Sequence, residues 1–450
     1  MRTFGSYGAR WWALLTVLLL CPCSTALAQQ GTSFDELAQA LEAHFDRALI
    51  SDVRAQLPLG APYEIWGWDA GDFSGDSYPD LALTVFIPQE RQRRVRVYAF
   101  VDQDGFLLNV ASMILPYIEL PLEVGIAISD TTCFITQKHR SGVWSIRGYR
   151  YWLGNFMLWE ERKLESSSKG SIELISNYRW LYKREVRFRP DGGVSAERQS
   201  VVVPVYHRRQ RLFVGYPTDA VCSLVDYVPK GAYYWEGPQD ASLRIRAVYD
   251  ERFLYIALWV TDNELVTGRC DTCSADMLRV WFIRSKLDTT VSVASQPLRQ
   301  QKASHTTSWE LLGINLRIGD FAEQPPQVTL HSQQWQEIAR SPSWRRTKAV
   351  VSRRPDGYTA KLRIPLELVL GTPDTVGVTP FRLRFAAEAV DLDNEFRPEE
   401  ASVVCTSSDF VVEDLNTYAE LVFLPPGQWY GESRNVLADI LADELLRLGF

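Results

Sequence analysis

Hydrophobic and polar residues alternate along much of the chain in short runs, and turn residues separate these runs. Between about residues 60 and 215 the turns contain stretches such as DQDG, RPDGG and ESSSKGS. Short alternating runs with this punctuation are typical of antiparallel all-β domains. We therefore predict an N-terminal antiparallel β domain over residues 59–215, with strands in LALTVFIP, RVRVYAFVD, GIAISD, CFITQ, VWSIRGYRYWLG and REVRFRP.

A second strand-rich block runs from about residue 225 to 426. Its alternating segments are LRIRAVYD, FLYIALWVTD, LRVWFIR, AKLRIPLEL and RLRFAAEAV. Such segments fill two packed sheets, so the predicted fold class is all-β, with a jelly-roll-like antiparallel C-terminal β-sandwich. The more polar stretch from 286 to 350 is expected to form long loops or hairpin insertions.

Helical spacing of apolar residues is confined to two places near the ends. Residues 29–58 are predicted as an amphipathic helix that starts after Ser33, with Glu36 completing a capping box. Residues 433–450 are predicted as a second amphipathic helix that docks on one domain.

The first 28 residues have the composition of a secretory signal peptide. Arg2 and Arg10 give a positive start, an apolar run too short for a bilayer follows, and Ala26-Leu27-Ala28 is a small-x-small cleavage signal. No later segment has the length and apolarity of a membrane helix. We therefore expect an exported protein, periplasmic or extracellular, without a transmembrane segment in the mature chain.

The charge balance argues against a nucleic-acid partner. The chain has 48 basic and 55 acidic residues, and removing the leader makes the net charge about −9. Nucleic-acid binding favours a basic domain.

Five cysteines lie after the leader: Cys133, Cys222, Cys270, Cys273 and Cys405. An oxidising compartment allows disulfides. Cys270 with Cys273 would close a small loop, and Cys222 with Cys405 would join two ends of one domain. Cys133 is then left as a buried thiol.

The stretch DFSGDSYPD places oxygen-bearing side chains at alternate positions: Asp72, Ser74, Asp76 and then Asp80. Calcium prefers six to eight oxygen ligands, and a tight loop presents alternate residues inward. The stretch resembles the calcium loop of FG-GAP or VCBS-type β-repeats, in a single copy and with Ser77 in place of the turn glycine. Two interpretations stay open: a structural calcium site, or a turn whose aspartates cap backbone groups.

The second block resembles carbohydrate-binding modules of family nine and their DOMON-like relatives. The likeness covers about 200 residues and includes Asp276 before MLRVWFI, the segment DGYTAKLRIPLELV with Lys361 in place of the usual acid, and FRLRFAAEAVDLDNE with its late aspartate pair. The opening motif contributes Trp235, Gly237, Pro238, Asp240, Tyr249, Asp250, Leu254, Tyr255, Val260, Thr261 and Asp262.

This resemblance implies a saccharide ligand and a structural calcium near strand ends such as Asp240 and Asp262. Sugar sites combine an aromatic face with planar polar side chains. The candidates for stacking in the polar middle are Trp309, Trp335 and Trp344, with Arg345, Gln333 and Gln334 as hydroxyl-reading neighbours. The alternative is that these tryptophans pack loops onto the sandwich. Trp235 and Trp259 are expected to pack in the core.

Catalytic motifs are missing from the sequence. The histidines lie in unrelated contexts, and no HExxH, GxSxG or phosphate-cradling glycine loop occurs. The sequence therefore favours a non-catalytic carbohydrate-binding protein. The alternative is a structural or interaction protein of the cell envelope whose degenerate sandwich no longer binds sugar, with a protein partner. Haem binding, known among DOMON-like relatives, would need a methionine and histidine pair, and Met277 has no suitable histidine partner.

Overall fold

The computed structural model describes residues 31–57, 62–88, 95–115, 123–152, 154–210, 217–267, 275–286, 308–331, 336–370 and 381–431. The predicted signal peptide, Cys270, Cys273 and the predicted helix at 433–450 lie outside these residues. Over these residues, the chain divides into an N-terminal unit, which runs to Ile146 and includes Arg150–Phe156, and a C-terminal unit, which includes Arg147–Tyr149 and the residues from Met157 onward. Within the described ranges, no helix has the length and apolarity needed to cross a membrane.

The N-terminal unit begins with two short helices, α1 (Phe34–Leu41) and α2 (Arg47–Gln56). The predicted capping box is confirmed, since the Ser33 hydroxyl accepts from the Glu36 N–H and the Glu36 carboxylate accepts from the Ser33 N–H. The prediction of one helix over 29–58 is wrong. Phe45 is buried between the two helices, and Asp46 has the extended conformation of an N-cap residue, which ends one helix and starts the next.

The helices pack on an antiparallel four-stranded sheet in the order β1-β2-β3-β4. Its strands are β1 (Glu64–Gly71), β2 (Asp80–Phe86), β3 (Val95–Asp102) and β4 (Leu107–Ile114). A hairpin of β5 (Glu123–Ser129) and β6 (Thr132–Lys138) follows. Strands β7 (Val143–Trp152) and β8 (Asn155–Ser167) contribute residues to both units.

The C-terminal unit starts with a meander in which β8 pairs with β9 (Gly170–Asn177), β9 with β10 (Tyr182–Phe188), and β10 with β11 (Val194–His207). The end of β11 pairs in parallel with β13 (Ala241–Tyr249) and β22 (Ala419–Phe423). Strand β11, which lies within the predicted N-terminal domain of residues 59–215, thus completes the sheet of the C-terminal block.

The sandwich consists of two groups of strands around one hydrophobic core. The first group is β12 (Ala220–Cys222), β13, β14 (Phe253–Asp262), β19 (Gly357–Pro365) and β18 (Lys348–Arg354). The second is β17 (Gln327–Leu330), β16 (Ser308–Arg317), β15 (Met277–Lys286) and β20 (Phe381–Asp391), with β21 (Ser402–Cys405) and β22 on the other edge of β20. Helices α3 (Gln336–Arg340), α4 (Pro342–Arg345) and α5 (Leu366–Leu370) lie in the connections, with 3-10 turns at Val225–Tyr227, Pro398–Glu400 and Leu415–Thr417.

Alternation along each strand decides which side chains enter the core. On β13 and β14 every second residue, such as Leu243 and Leu258, is buried; the residues between them are half-buried or exposed, except for the buried Phe253 at the start of β14. The all-β fold class with an antiparallel sandwich is confirmed, with β11 as a strand that pairs in parallel. Cys222 and Cys405 are both buried and are not joined in a disulfide; burial, followed by the nearby Cys405, raises the pKa of the Cys222 thiol.

Candidate functional site

The residues predicted to bind sugar are described only in part. The backbone of Trp309 lies in β16 opposite Ser285, and Trp335 lies outside the described residues. Trp344 lies in α4, half-buried against the sandwich core, while the neighbouring Arg345 is exposed. This packing of Trp344 matches the alternative in which a tryptophan fastens a loop to the sandwich.

In the N-terminal unit, the predicted calcium loop connects β1 to β2, and its aspartates accept backbone hydrogen bonds. Asp80 is fully buried and accepts from the N–H groups of Phe73 (2.9 Å), Ser74 (2.8 Å) and Asp102 (3.1 Å). Burial raises the pKa of Asp80 to about 6, against the effect of these hydrogen bonds.

The other two aspartates of this loop also accept hydrogen bonds from the chain. Asp72 accepts from the N–H of Ser77 at 2.8 Å and from the Ser74 hydroxyl at 3.3 Å, and Asp76 accepts from the N–H of Tyr78 at 2.8 Å. Ser77 has a φ of 76°, the left-handed conformation that the glycine of the repeat motif adopts more easily. These bonds satisfy the aspartates without an ion, and calcium in this loop stays a prediction.

A second acidic group lies in the C-terminal unit, and we call it the acidic cluster. It gathers side chains from strand ends and the adjoining turns: Asp240, Asp262, Asp276, Asp391 and Asp393. Carboxylate oxygens of Asp262, Asp276 and Asp391 lie within 4.8 Å of one another, and so do those of Asp240, Asp391 and Asp393. Asp391 is common to both groups, and all members except Asp393 are buried.

Hydrogen bonds orient the acidic cluster but leave part of it unsatisfied. Asp276 accepts from the N–H groups of Val266 (2.7 Å) and Leu392 (2.9 Å), which tie two strand ends together. Asp391 accepts from the Ser402 hydroxyl at 3.1 Å through Oδ2, while its buried Oδ1 has no hydrogen-bond partner. A buried polar atom without a partner is rare and calls for an explanation.

Electrostatics in the acidic cluster favour either protonation or a bound cation. Burial, followed by repulsion from Asp262 and Asp240, raises the pKa of Asp391 to about 8. Burial and repulsion from Asp262 also raise the pKa of Asp276. A calcium ion prefers several carboxylate oxygens and would offset this repulsion. The donor set and the unpartnered Oδ1 therefore fit calcium.

The outer face of β15, β16 and β20 carries a different group, which we call the polar row. Arg279 lies on β15 between Asn315 of β16 and Glu388 of β20, directly opposite each of them in the register. These side chains supply a guanidinium, an amide and a carboxylate side by side. Planar polar groups of this kind recognise sugar hydroxyls when an aromatic ring lies nearby.

Trp281 lies next to the polar row, buried in a second hydrophobic cluster with Phe410 and Tyr418. Its indole N–H donates to the buried Glu388 carboxylate at 2.7 Å. Gly313 lies opposite Trp281, and a Cβ at this glycine would come within 2.5 Å of the indole. His331 packs edge-on against the indole, with ring centroids 4.4 Å apart, and its Nδ1 lies 3.4 Å from the Asn315 side-chain oxygen.

The uncharged ring of His331 can both donate and accept a hydrogen bond. Burial, with the positive charge of Arg279 as a second cause, lowers the pKa of this histidine. At neutral pH the ring therefore has one donor and one acceptor nitrogen. The chain continues from His331 into Gln333, Gln334 and Trp335, the residues that the sequence predicts as hydroxyl readers and stacking ring.

Sequence reasoning missed the polar row. Its residues belong to strands that are far apart in the sequence, and each one looks like an ordinary outward-facing position of an alternating strand. The sequence does contain one indication of it: Glu388 lies among small residues in FRLRFAAEAV. If this strand lies in the middle of a sheet, the carboxylate is buried and needs a hydrogen-bond partner.

Comparison with known proteins gives weak structural likenesses. No family model and no curated protein matches the chain. Two solved structures of a family 9 carbohydrate-binding module from Caldicellulosiruptor kristjanssonii, in complex with glucose and with cellotriose, are each 13% identical to it. They cover 50% of this chain and 97% and 95% of their own chains, with TM-scores of 0.30 and 0.29.

A third similar structure is a proposed carbohydrate-binding protein from Bacteroides uniformis ATCC 8492. It is 9% identical, covers 50% of this chain and 99% of its own, and has a TM-score of 0.27. At these scores the three likenesses carry no argument about the ligand of this chain, which depends on the side chains described above.

Proposed function

We propose that the chain is an exported, non-catalytic carbohydrate-binding protein that holds a saccharide against the polar row. The observation that carries this proposal is the arrangement of Asn315, Arg279 and Glu388 side by side, next to the indole of Trp281. Together these groups offer both donors and acceptors at fixed positions. The resemblance of the sequence to family 9 carbohydrate-binding modules supports the same ligand class.

The polar row favours binding over hydrolysis. It contains one carboxylate, Glu388, which is already bonded to the Trp281 indole. Glycoside hydrolysis generally uses a pair of carboxyl groups about 5 to 9.5 Å apart. We infer that Glu388 positions Trp281 and accepts a hydroxyl or orients Arg279, without taking part in a reaction.

A panel of immobilised neutral oligosaccharides tests the proposal, with the intact protein, a Glu388→Gln variant and an Arg279→Gln variant. We expect retention of at least one saccharide by the intact protein and a loss of about tenfold in affinity for each variant, the scale of one hydrogen bond to a charged group. Glu197→Gln, an exposed carboxylate on β11, is the matched control and should bind normally. If no neutral saccharide is retained at millimolar concentration, the alternative of an interaction protein without a sugar site is favoured.

We also propose that the acidic cluster holds calcium as a structural ion. Bound there, calcium would neutralise Asp262, Asp276 and Asp391 and fasten the ends of β14, β15 and β20. Calcium at 1,000 times its Kd would add about 4 kcal/mol to the free energy of unfolding. Melting in calcium and in chelator should differ for the intact protein and for Asp76→Asn, and should become equal for Asp391→Asn. A calcium shift that survives Asp391→Asn and disappears in Asp76→Asn would place the ion in the β1–β2 loop instead.

A further inference from the structure

The outer face of β13, β14, β19 and β18 is the other exposed face of the sandwich. Its aromatic side chains lie on β14 at alternate positions, Phe253, Tyr255 and Trp259, with Ala257 between the last two. The prediction that Trp259 packs in the core is wrong. It falls on the half-buried side of the alternation, while Leu258 and Val260 point into the core.

Arginine side chains lie over every one of these rings. The guanidinium of Arg363 lies 4.8 Å from the Phe253 centroid, and that of Arg208 lies 5.0 Å from the Tyr255 centroid. Trp259 is contacted by Arg244 at 4.9 Å and by Arg246 at 5.6 Å. Stacking orients the guanidiniums along the face, and acidic or hydroxyl groups of the chain already bond Arg246 and Arg208. We call this surface the arginine–aromatic face.

Ala257 lies between Tyr255 and Trp259 on the same side of β14, and we call this position between the two rings the slot. In the register, Ala257 lies opposite Arg246 on β13 and Lys361 on β19. Tyr255 and Trp259 stand two residues to either side, so their positions are about 13 Å apart along the strand. The alanine side chain adds little volume between the rings of Tyr255 and Trp259.

The arginine–aromatic face has more positive than negative groups, although the chain as a whole is acidic. Asp219 is paired with Arg246 at 2.5 Å, and Asp250 accepts from the Tyr255 hydroxyl at 2.8 Å. Glu367 is paired with Arg346, another arginine beside Phe253. Lys361 is exposed and forms no ion pair with any part of the chain that the structure describes.

We propose that the arginine–aromatic face binds a polysaccharide that carries negative charges. Its carboxylate or sulfate groups would lie against the exposed Lys361 and Arg244, and its sugar rings would lie beside the arginine-covered rings of Tyr255 and Trp259. Charge complementarity selects the anion, and the flanking rings select a sugar chain over a small anion. A membrane surface is usually bound by an apolar helix face, whereas this surface is a strand face lined with cations.

Binding of the intact protein to polygalacturonate, dextran sulfate and uncharged dextran tests the proposal at 150 mM salt. We expect binding to one or both charged polymers and none to dextran, and the charged polymer that binds identifies the acidic group. Lys361→Glu should weaken this binding about tenfold, on the scale of a lost charged hydrogen bond. Ala257→Leu, which fills the slot without changing charge, should weaken it as well.

Arg187→Gln is the matched control, since Arg187 is an exposed arginine on β10 paired with Glu185. It should bind like the intact protein, and so should Glu388→Gln, which belongs to the polar row. The proposal is overturned if neither charged polymer binds, if Lys361→Glu and Ala257→Leu bind normally, or if single-stranded DNA or anionic vesicles bind as tightly as the polysaccharides. Loss of neutral sugar binding alone concerns the polar row and leaves this face untouched.

Discussion

The two outer faces of the sandwich hold their tryptophans differently. On β15, β16 and β20, Trp281 is buried and its ring N–H is bonded to Glu388. On β13, β14 and β19, Trp259 is half-buried beneath two guanidiniums. Both faces belong to one sandwich and both combine aromatic rings with arginine. On the first, polar groups are fixed by contacts with each other, which suits recognition of hydroxyl positions. On the second, exposed cations surround a slot, which suits recognition of charge.

Replacing Trp281 or Trp259 with alanine should give the largest difference in stability between the two faces. Trp281→Ala removes a buried ring and the partner of the buried Glu388 carboxylate, so the free energy of unfolding should fall by about 3–5 kcal/mol. Trp259→Ala removes stacking at a half-buried site and should cost about 1 kcal/mol. Urea denaturation of both variants measures the difference. Equal losses would show that the two faces do not differ in rigidity.

Enlarging one side chain on each face should give a further difference in stability between them. Gly313→Ala places a Cβ against the Trp281 indole, so we expect a loss of about 1–3 kcal/mol and weaker neutral sugar binding. Ala257→Leu extends into the open slot and should change stability by less than about 0.5 kcal/mol. Thermal melting of both variants checks this. A destabilised Ala257→Leu would mean that the slot is already filled by neighbouring side chains.

Raising the ionic strength should change ligand affinity little at the polar row and clearly at the arginine–aromatic face. Between about 50 mM and 500 mM salt, exposed charges become strongly screened. Affinity for a charged polysaccharide should therefore fall several-fold, while affinity for a neutral oligosaccharide should stay within about twofold. Parallel titrations at the two salt concentrations measure both. Salt-independent binding of the charged polymer would contradict a charge-based site.

The strands were predictable because their pattern is local. Period-two alternation in FLYIALWVTD predicts a strand, and β14 buries Leu258 and leaves Trp259 half-buried. The same pattern could not decide the role of Trp259, since outward-facing rings and core rings both occur in strands. Its arginine neighbours come from β13, which the register places opposite it.

The candidate sites depend on topology, which the sequence does not show directly. Asp276 and the late aspartate pair were recognised as strand-end residues, but their convergence requires β15 to pair with β20. The polar row requires the same pairing, because it brings Arg279 beside Glu388. The sequence does not predict the break between α1 and α2 because helical spacing continues across it; in the structure the extended Asp46 and the buried Phe45 mark it.

The indole N–H resonance of Trp281 tests the central claim most directly. It can be assigned by its absence from a Trp281→Phe variant and followed by nitrogen-15 NMR as a neutral oligosaccharide is added. The account predicts a saturable shift of the Trp281 resonance and no shift of the Trp259 resonance. A bound neutral sugar that leaves Trp281 unchanged, or that shifts Trp259 instead, would contradict the assignment of the sugar site to the polar row.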